Sequence, residues 1–226
     1  MNVIKFDFTN ATLNRFDSAD EWRSRRTSYI GGSDAGVIIG ANKWKNNVEL
    51  WEEKVGIKKP ADLSKNPLVT YGKEAEKHLR ELFKLDFPEY SVGYEDNNMW
   101  LNERYPFAHA SLDGWITDKD GHYGILEIKT ATINSKAHGE EWKNGIPQSY
   151  YAQILHYLMV TEFDFAIVKA QLKYDFDGEM LYVATKHYRI DRAEIEDEIS
   201  FLEEEERKFA QYIKDGIRPS LNLPEI

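Results

Sequence analysis

The chain has 226 residues, a formal net charge of −10 and 42% hydrophobic residues, the balance of a globular protein with one well-buried core and no disordered bulk. It contains no cysteine, which excludes disulfides, thiolate zinc sites, iron–sulfur clusters and cysteine nucleophiles and fits a reducing compartment. The start has no apolar run of signal-peptide length and no later stretch could span a membrane, so a soluble, cytoplasmic protein is expected.

In chain order, the first concentration of charge is basic. Residues 15–45 hold Arg15, Arg23, Arg25, Arg26, Lys43 and Lys45 against Asp17, Asp20, Glu21 and Asp34. An acidic exterior with a local basic groove is compatible with a nucleic-acid partner despite the net charge. Within this stretch, Gly31-Gly32-Ser33 reads as a turn with Ser33 as the N-cap of a short helix that Gly40 ends. Such a helix start can hold an anion, and Arg26 can clamp a phosphate beside it. Gly-Gly-Ser before a helix is also common turn chemistry.

Residues 71–87 predict a helix with Ala75, Leu79, Leu82 and Phe83 as its buried stripe. Glu76 stands at the edge of that stripe, whereas Glu74, His78 and Glu81 cluster away from it. A carboxylate at a core margin needs a partner, which makes Glu76 a candidate site acid. The alternative is an edge glutamate whose head reaches water.

Residues 107–116 have strand-like content, residues 117–124 are a turn with Asp-Gly at its centre, and residues 125–130, Ile-Leu-Glu-Ile-Lys-Thr, alternate. In a strand Glu127 and Lys129 share one face while Leu126 and Ile128 share the other. The hairpin then sets Asp113 beside Glu127 and Lys129. Two close carboxylates repel unless a cation lies between them, and oxygen-only ligands suit Mg²⁺ or Mn²⁺. A lysine beside that ion orients a water or offsets charge on a phosphoryl group. A solvated strand face with an ordinary Glu–Lys pair describes the same pattern equally well.

Residues 131–146 read as a loop, in which Lys136, His138, Trp142 and Lys143 either touch a nucleic acid or pack as surface. A third helix starts at Pro147, with Tyr151, Ile154, Leu155 and Leu158 as its apolar stripe. Ser149, Gln153 and His156 form the opposite stripe, facing either a substrate or water. Two strands follow, residues 163–172 and 180–190, joined by a turn over residues 174–178. A C-terminal amphipathic helix over residues 191–215 is capped by Asp191, buries Ile195, Ile199, Leu202, Phe209 and Ile213, and ends at Gly216 and Pro219. Its glutamates are assigned to solvent. No linker or internal repeat divides the chain, so residues 1–226 are expected to form a single domain.

Taken together, the ordered pieces resemble the phage lambda exonuclease and YqaJ-type viral recombination nucleases of the PD-(D/E)XK superfamily. The resemblance runs from about residue 22 to residue 160. It rests on Arg26 to Ser33, Tyr71-Gly-Lys-Glu-Ala-Glu76, Ser111-Leu-Asp113-Gly, Glu127-Ile-Lys129, and Tyr151-Ala-Gln153 with Tyr157. Leu112 stands where the superfamily has proline. The resemblance implies an α/β (α+β) fold with a restriction-endonuclease-like core, a central mixed β-sheet flanked by helices. It further implies that Asp113, Glu127 and the backbone carbonyl of Ile128 ligate Mg²⁺ (or Mn²⁺). Glu76 is implied near a second metal position, with Lys129 positioning the attacking water. Arg26, Ser33, Ser111 and Gln153 are implied to line a pocket for a 5′-terminal phosphate. Glu103 falls where a relative carries an aspartate, and its role is left open. The implied activity is a 5′→3′ exonuclease on double-stranded DNA ends that releases mononucleotides and leaves 3′ tails for recombination. A single-strand annealing partner, a trimeric ring and a host-cytoplasm location come with it. The rivals are an endonuclease or structure-specific nuclease on the same core, and a catalytically dead DNA-binding or assembly module. An iron–sulfur relative is excluded by the missing cysteines.

Overall fold

The computed structural model describes residues 2–176 and 178–222. In chain order the elements are β1 (Asn2–Lys5), β2 (Ala11–Arg15), α1 (Ala19–Arg26), β3 (Ile30–Gly31), α2 (Gly32–Ile38) and α3 (Asn47–Lys54). Then come α4 (Pro67–Asp86), β4 (Ser91–Gly93), β5 (Asn98–Asn102), β6 (Ala108–His109), β7 (Gly114–Thr117) and β8 (Tyr123–Ile133). The chain continues with α5 (Lys136–Glu141), α6 (Gln148–Thr161), β9 (Phe165–Phe176), β10 (Glu179–Asp191), a 3₁₀ turn (Arg192–Glu194) and α7 (Glu196–Asp215).

The central sheet has the order β10-β9-β8-β7-β4. Its pairings are antiparallel except β8 with β9, which run parallel. The parallel pair requires a crossover, and α5 and α6 provide it. Strand alternation gives β8 two dissimilar buried faces. Leu126 and Ile128 pack with Ala75, Leu79 and Phe83 of α4. Ile125 belongs to the other core, with Ile154, Leu155 and Leu158 of α6. That core also takes Leu13 and Trp100 from a second, antiparallel sheet, β1-β2-β5. The mixed sheet flanked by helices is therefore the α/β architecture expected.

Several local expectations are corrected. Gly31, not Ser33, is the N-cap of α2, and the Asp34 carboxylate accepts from the Gly31 N–H at 3.0 Å. Helix α4 starts four residues early, at Pro67, because Asn66 caps it by accepting from the Leu68 N–H at 2.9 Å. Leu82 is 48% exposed, and Arg80 fills the stripe in its place. The strand expected over residues 107–116 is broken into β6 and β7, which leaves Ser111, Leu112 and Asp113 in irregular backbone.

Asp191 pairs with Phe165 as the last residue of β10 and precedes the 3₁₀ turn without a side-chain cap bond; α7 starts after that turn, with Ile195 at its N-cap. Of the glutamates assigned to solvent, Glu206 is fully buried against His156, which is likewise not on a wet face. Trp142 is fully buried too, in a cluster with Ile133, Ala170 and Leu172, and so is not a surface contact. Asp177 of the predicted turn lies outside the described residues. Among the described residues, no helix is long and apolar enough to cross a membrane.

Candidate active site

The β7–β8 hairpin turns at residues 118–122, where Gly121 takes φ +87° and Asp118 Oδ1 accepts from the N–H groups of Asp120 and His122. Its register pairs Gly114 with Leu126. Asp113, one residue before β7, therefore lies across from Glu127. Asp113 Oδ2 accepts from the Ile128 N–H at 2.8 Å, which ties the carboxylate to the strand that carries Glu127 and Lys129.

Glu127 is only 2% exposed and Gln153 only 9%. The Lys129 ammonium donates to Glu127 Oε1 at 2.6 Å and to Gln153 Oε1 at 2.8 Å, and it sits 4.6 Å from the centre of the Tyr150 ring. The Gln153 amide donates to Glu127 Oε1 and to the Tyr157 hydroxyl, each at 2.9 Å. Helix α6 thus completes the constellation that the hairpin starts.

Burial raises the pKa of Asp113, and the neighbouring Glu127 charge raises it further. Glu127 is also raised, by burial above all, although the Lys129 charge opposes the shift. Burial would pull Lys129 down, but the Glu127 and Asp113 charges outweigh it and hold the amine above its ordinary value. Lys129 is therefore protonated at neutral pH and acts as a donor, not a base.

From the other side of the sheet, α4 brings Glu76 to the rim. Burial, with the Asp113 charge second, pushes Glu76 up to about 7. Arg80, one turn on, bonds Glu76 Oε1 at 2.9 Å and also donates to the Asp113 backbone carbonyl. Sequence reasoning missed Arg80. Its i,i+4 spacing from Glu76 was the available signal.

A cavity of about 460 Å³ holds Glu76, Asp113, Glu127, Ile128, Lys129 and Gln153. Ser111 also lines it, with its hydroxyl donating to the Asn98 carbonyl at 2.8 Å. Arg26 lies on the same wall, its guanidinium 4.3 Å from the centre of the Trp22 ring. Ser33 does not line this cavity. It borders a neighbouring recess of about 380 Å³ with Lys45, Lys54 and His109, and Arg26 is shared between the two. Glu103 is not brought to the site; it is exposed on the turn after β5 and lines a separate cavity of about 710 Å³.

The donor set suits a hard divalent cation. Three carboxylates converge, and the buried Glu127 Oε2 has no hydrogen-bond partner among the described residues. Asp118, Asp120 and His122 bring three ligand atoms within 4.8 Å of one another, but they lie on the hairpin turn outside this cavity. Their proximity follows from the hydrogen bonds of the turn itself.

Residues 21–164 match the model of the YqaJ-like viral recombinase domain. The chain is 35% identical over 144 residues to the uncharacterized protein YqaJ of Bacillus subtilis (strain 168), a match covering 63% of this chain and 42% of that protein. It therefore spans less than half the length of that relative. An alkaline exonuclease (LHK-Exo) from Laribacter hongkongensis superposes with a TM-score of 0.57 at 20% identity, over 88% of this chain and 97% of that one. A phage related exonuclease from Haemophilus somnus 129PT gives 0.54 at 17% identity, over 83% and 96%. At such identities these two structures establish the shared fold.

Proposed function

The chain belongs to the YqaJ-like viral recombinase domain family, and from that premise we propose that it is a divalent-metal-dependent exonuclease acting on double-stranded DNA ends. It works in the 5′→3′ direction from 5′-phosphorylated ends, releasing mononucleotides and leaving 3′ tails for phage-type recombination. One observation carries this reading: Asp113, Glu127 and Lys129 converge in one cavity with Glu76 and Gln153, and a buried carboxylate oxygen there lacks a partner.

Asp113, Glu127 and the Ile128 carbonyl would hold Mg²⁺ (or Mn²⁺), with Glu76 at the rim for a second ion. The bound cation supplies Lewis acidity and lowers the pKa of water. Lys129, held protonated, orients the attacking water and offsets charge growing on the phosphate. Gln153 fixes the Lys129 ammonium and the Glu127 carboxylate relative to each other through two hydrogen bonds, which add to the direct bond between them. In-line attack on phosphorus breaks the bond to the departing 3′ oxygen and leaves a new 5′-phosphate on the shortened strand. Arg26, with Ser111 and Gln153 on the cavity wall and Ser33 in the adjoining recess, receives that phosphate and sets the register of the next cut. The resemblance also carries a single-strand annealing partner, a host-cytoplasm location and a ring of three copies. The exposed apolar run Met180, Leu181, Tyr182 and Val183 on edge strand β10 supports self-association.

The test is incubation with linear 5′-phosphorylated duplex in Mg²⁺ or EDTA. Metal-dependent mononucleotide release from the 5′ strand is expected. Nicking of closed circles would shift the reading to an endonuclease, which the placement of Ser33 outside the catalytic cavity favours as the second choice. Binding without any cleavage would leave a DNA-binding module.

A further inference from the structure

Arg80 is an unusual residue to find inside α4. Its side chain is only 5% exposed, and its charge is shared between the Glu76 carboxylate and a backbone carbonyl. One nitrogen, Nη1, donates both to Glu76 Oε1 and to the Asp113 backbone carbonyl. The guanidinium carbon lies over the Tyr94 ring, 3.4 Å from its centre, within cation–π range. Tyr94 is held in turn by its hydroxyl, which donates to Asp96 Oδ1 at 2.9 Å.

Each of these contacts joins a different element. Glu76 rides on α4, Asp113 precedes β7, and Tyr94 follows β4. No main-chain hydrogen bond between α4 and the sheet can fix the helix acid against the hairpin acid, because a helix satisfies its own backbone. The link must be made by side chains. Arg80 makes it through Nη1, with its guanidinium held over the Tyr94 ring; a lysine ammonium can donate to the same two oxygens but has no guanidinium plane to lie over that ring. The division of labour is then clear. Lys129 is the fixed cation for Glu127, and Arg80 is the fixed cation for Glu76 and for the backbone of Asp113.

We infer that Arg80 is a positioning residue that sets the separation of Glu76 from Asp113 and thereby determines how well the site takes a divalent cation. The inference rests on the nuclease reading for its catalytic consequence, but its effect on cation binding can be measured without any cleavage. Substituting a side chain that orients a metal ligand costs about 10- to 100-fold in metal affinity or activity. Arg80→Lys should accordingly weaken Mn²⁺ binding, read by calorimetry, and lower kcat, each by about 10- to 100-fold, with KM for DNA ends changed less than about twofold.

The decisive measurement is a double-mutant cycle with Glu76→Gln. If Arg80 acts through Glu76, the double variant binds Mn²⁺ no worse than Glu76→Gln alone. Additive losses would overturn the inference and leave Arg80 a packing residue. Tyr94→Leu, which keeps the charge but removes the ring, guards against an Arg80 variant that does not fold. It should weaken Mn²⁺ binding by a smaller factor while circular dichroism stays unchanged, and unaltered Mn²⁺ affinity would likewise overturn the inference. Wild-type protein that binds Mn²⁺ but cuts no DNA would refute the nuclease reading alone, since the binding cycle would still decide the role of Arg80.

Discussion

Helix α6 carries a buried acid–base contact at each of two successive turns. At Gln153 it meets Glu127 and Lys129; at His156 it meets Glu206 of α7, with His156 Nδ1 2.7 Å from Glu206 Oε1. Glu127 and Glu206 each keep one buried oxygen without a partner among the described residues. Burial lowers the pKa of His156, but the Glu206 charge and hydrogen bond more than reverse this, as the carboxylates do for Lys129. By electrostatics alone the two places look alike. They differ in access and in company. The Glu127 contact borders an open cavity that Asp113 and Glu76 also enter, whereas His156 and Glu206 are sealed at 0% exposure. A perturbed, buried charge marks a site only where a ligand can reach it and where further groups of the same sign converge.

Four substitutions or conditions put this contrast under strain. The largest effect is expected at the open pair. Lys129→Ala should cut the cleavage rate about 10³-fold or more while DNA binding persists in a gel-shift assay, since it removes charge stabilisation at the reacting phosphate. Robust residual cleavage would mean that Lys129 is no more functional than His156. At the sealed pair, Glu206→Gln should cost about 3–5 kcal/mol of stability in denaturant titration, the usual cost of orphaning a buried charge. Its cleavage rate per folded molecule should not change, and a selective loss of rate would erase the distinction drawn here.

A smaller and more selective effect is expected at the partition between the two recesses. Arg26→Ala should lower activity on 5′-phosphorylated ends relative to 5′-hydroxyl ends by roughly tenfold or more, from a charged hydrogen bond of about 1.5–3 kcal/mol. Equal losses on both ends would make Arg26 a general backbone contact.

The last effect is a matter of pH. Glu76 has a folded pKa of about 7 against an ordinary 4.5, so between these values the folded state binds more protons than the unfolded one. The stability of the metal-free protein therefore falls as pH rises from about 4.5 to 7. His156 is also raised, so its stabilising contribution is complete below its ordinary 6.5 and is lost as pH rises through the higher folded value. Both regions thus weaken in alkali, but a cation can relieve only the open one. Mn²⁺ should raise Tm more at pH 8 than at pH 5.5 in the wild type, and this difference should shrink in Glu76→Gln. An unchanged difference would remove Glu76 from the cation site.

The β7–β8 hairpin was legible because period-two alternation in residues 125–130 reads as a strand, and the Asp-Gly turn fixed where it folds back. Glu76 was legible as a polar residue at the margin of an apolar stripe. Arg80 and Glu206 were not, for a shared reason: a pattern of apolar positions treats every charged residue as solvent-facing. The clue to Glu206 was the gap itself. The stripe Ile199, Leu202, Phe209 skips one helical turn, and Glu206 occupies the skipped position. Its buried partner His156 lies 50 residues away in sequence, beyond any local pattern. Ser33 lies outside the cavity of Glu127 because α2 starts two residues before the expected cap, with Gly31 as N-cap and the Asp34 carboxylate closing the box on its N–H, and Ser33 then stands inside the first turn.

The parallel pairing of β8 with β9 also imposes an order in time. The hydrogen bond from Ile128 to Asp113 spans 15 residues, the one from Arg80 to Asp113 spans 33, and the Lys129 contact with Gln153 waits on the crossover that parallel strands require. Short loops close before long ones, and parallel pairing is slow because its closure entropy is lost before its contacts form. The folding chain is thus expected to bring Asp113 and Glu127 together first, while their repulsion is least relieved, and to add Arg80 and Gln153 afterwards. A divalent cation present during refolding is expected to stand in for those late arrivals, so refolding should be faster with Mn²⁺ than with EDTA.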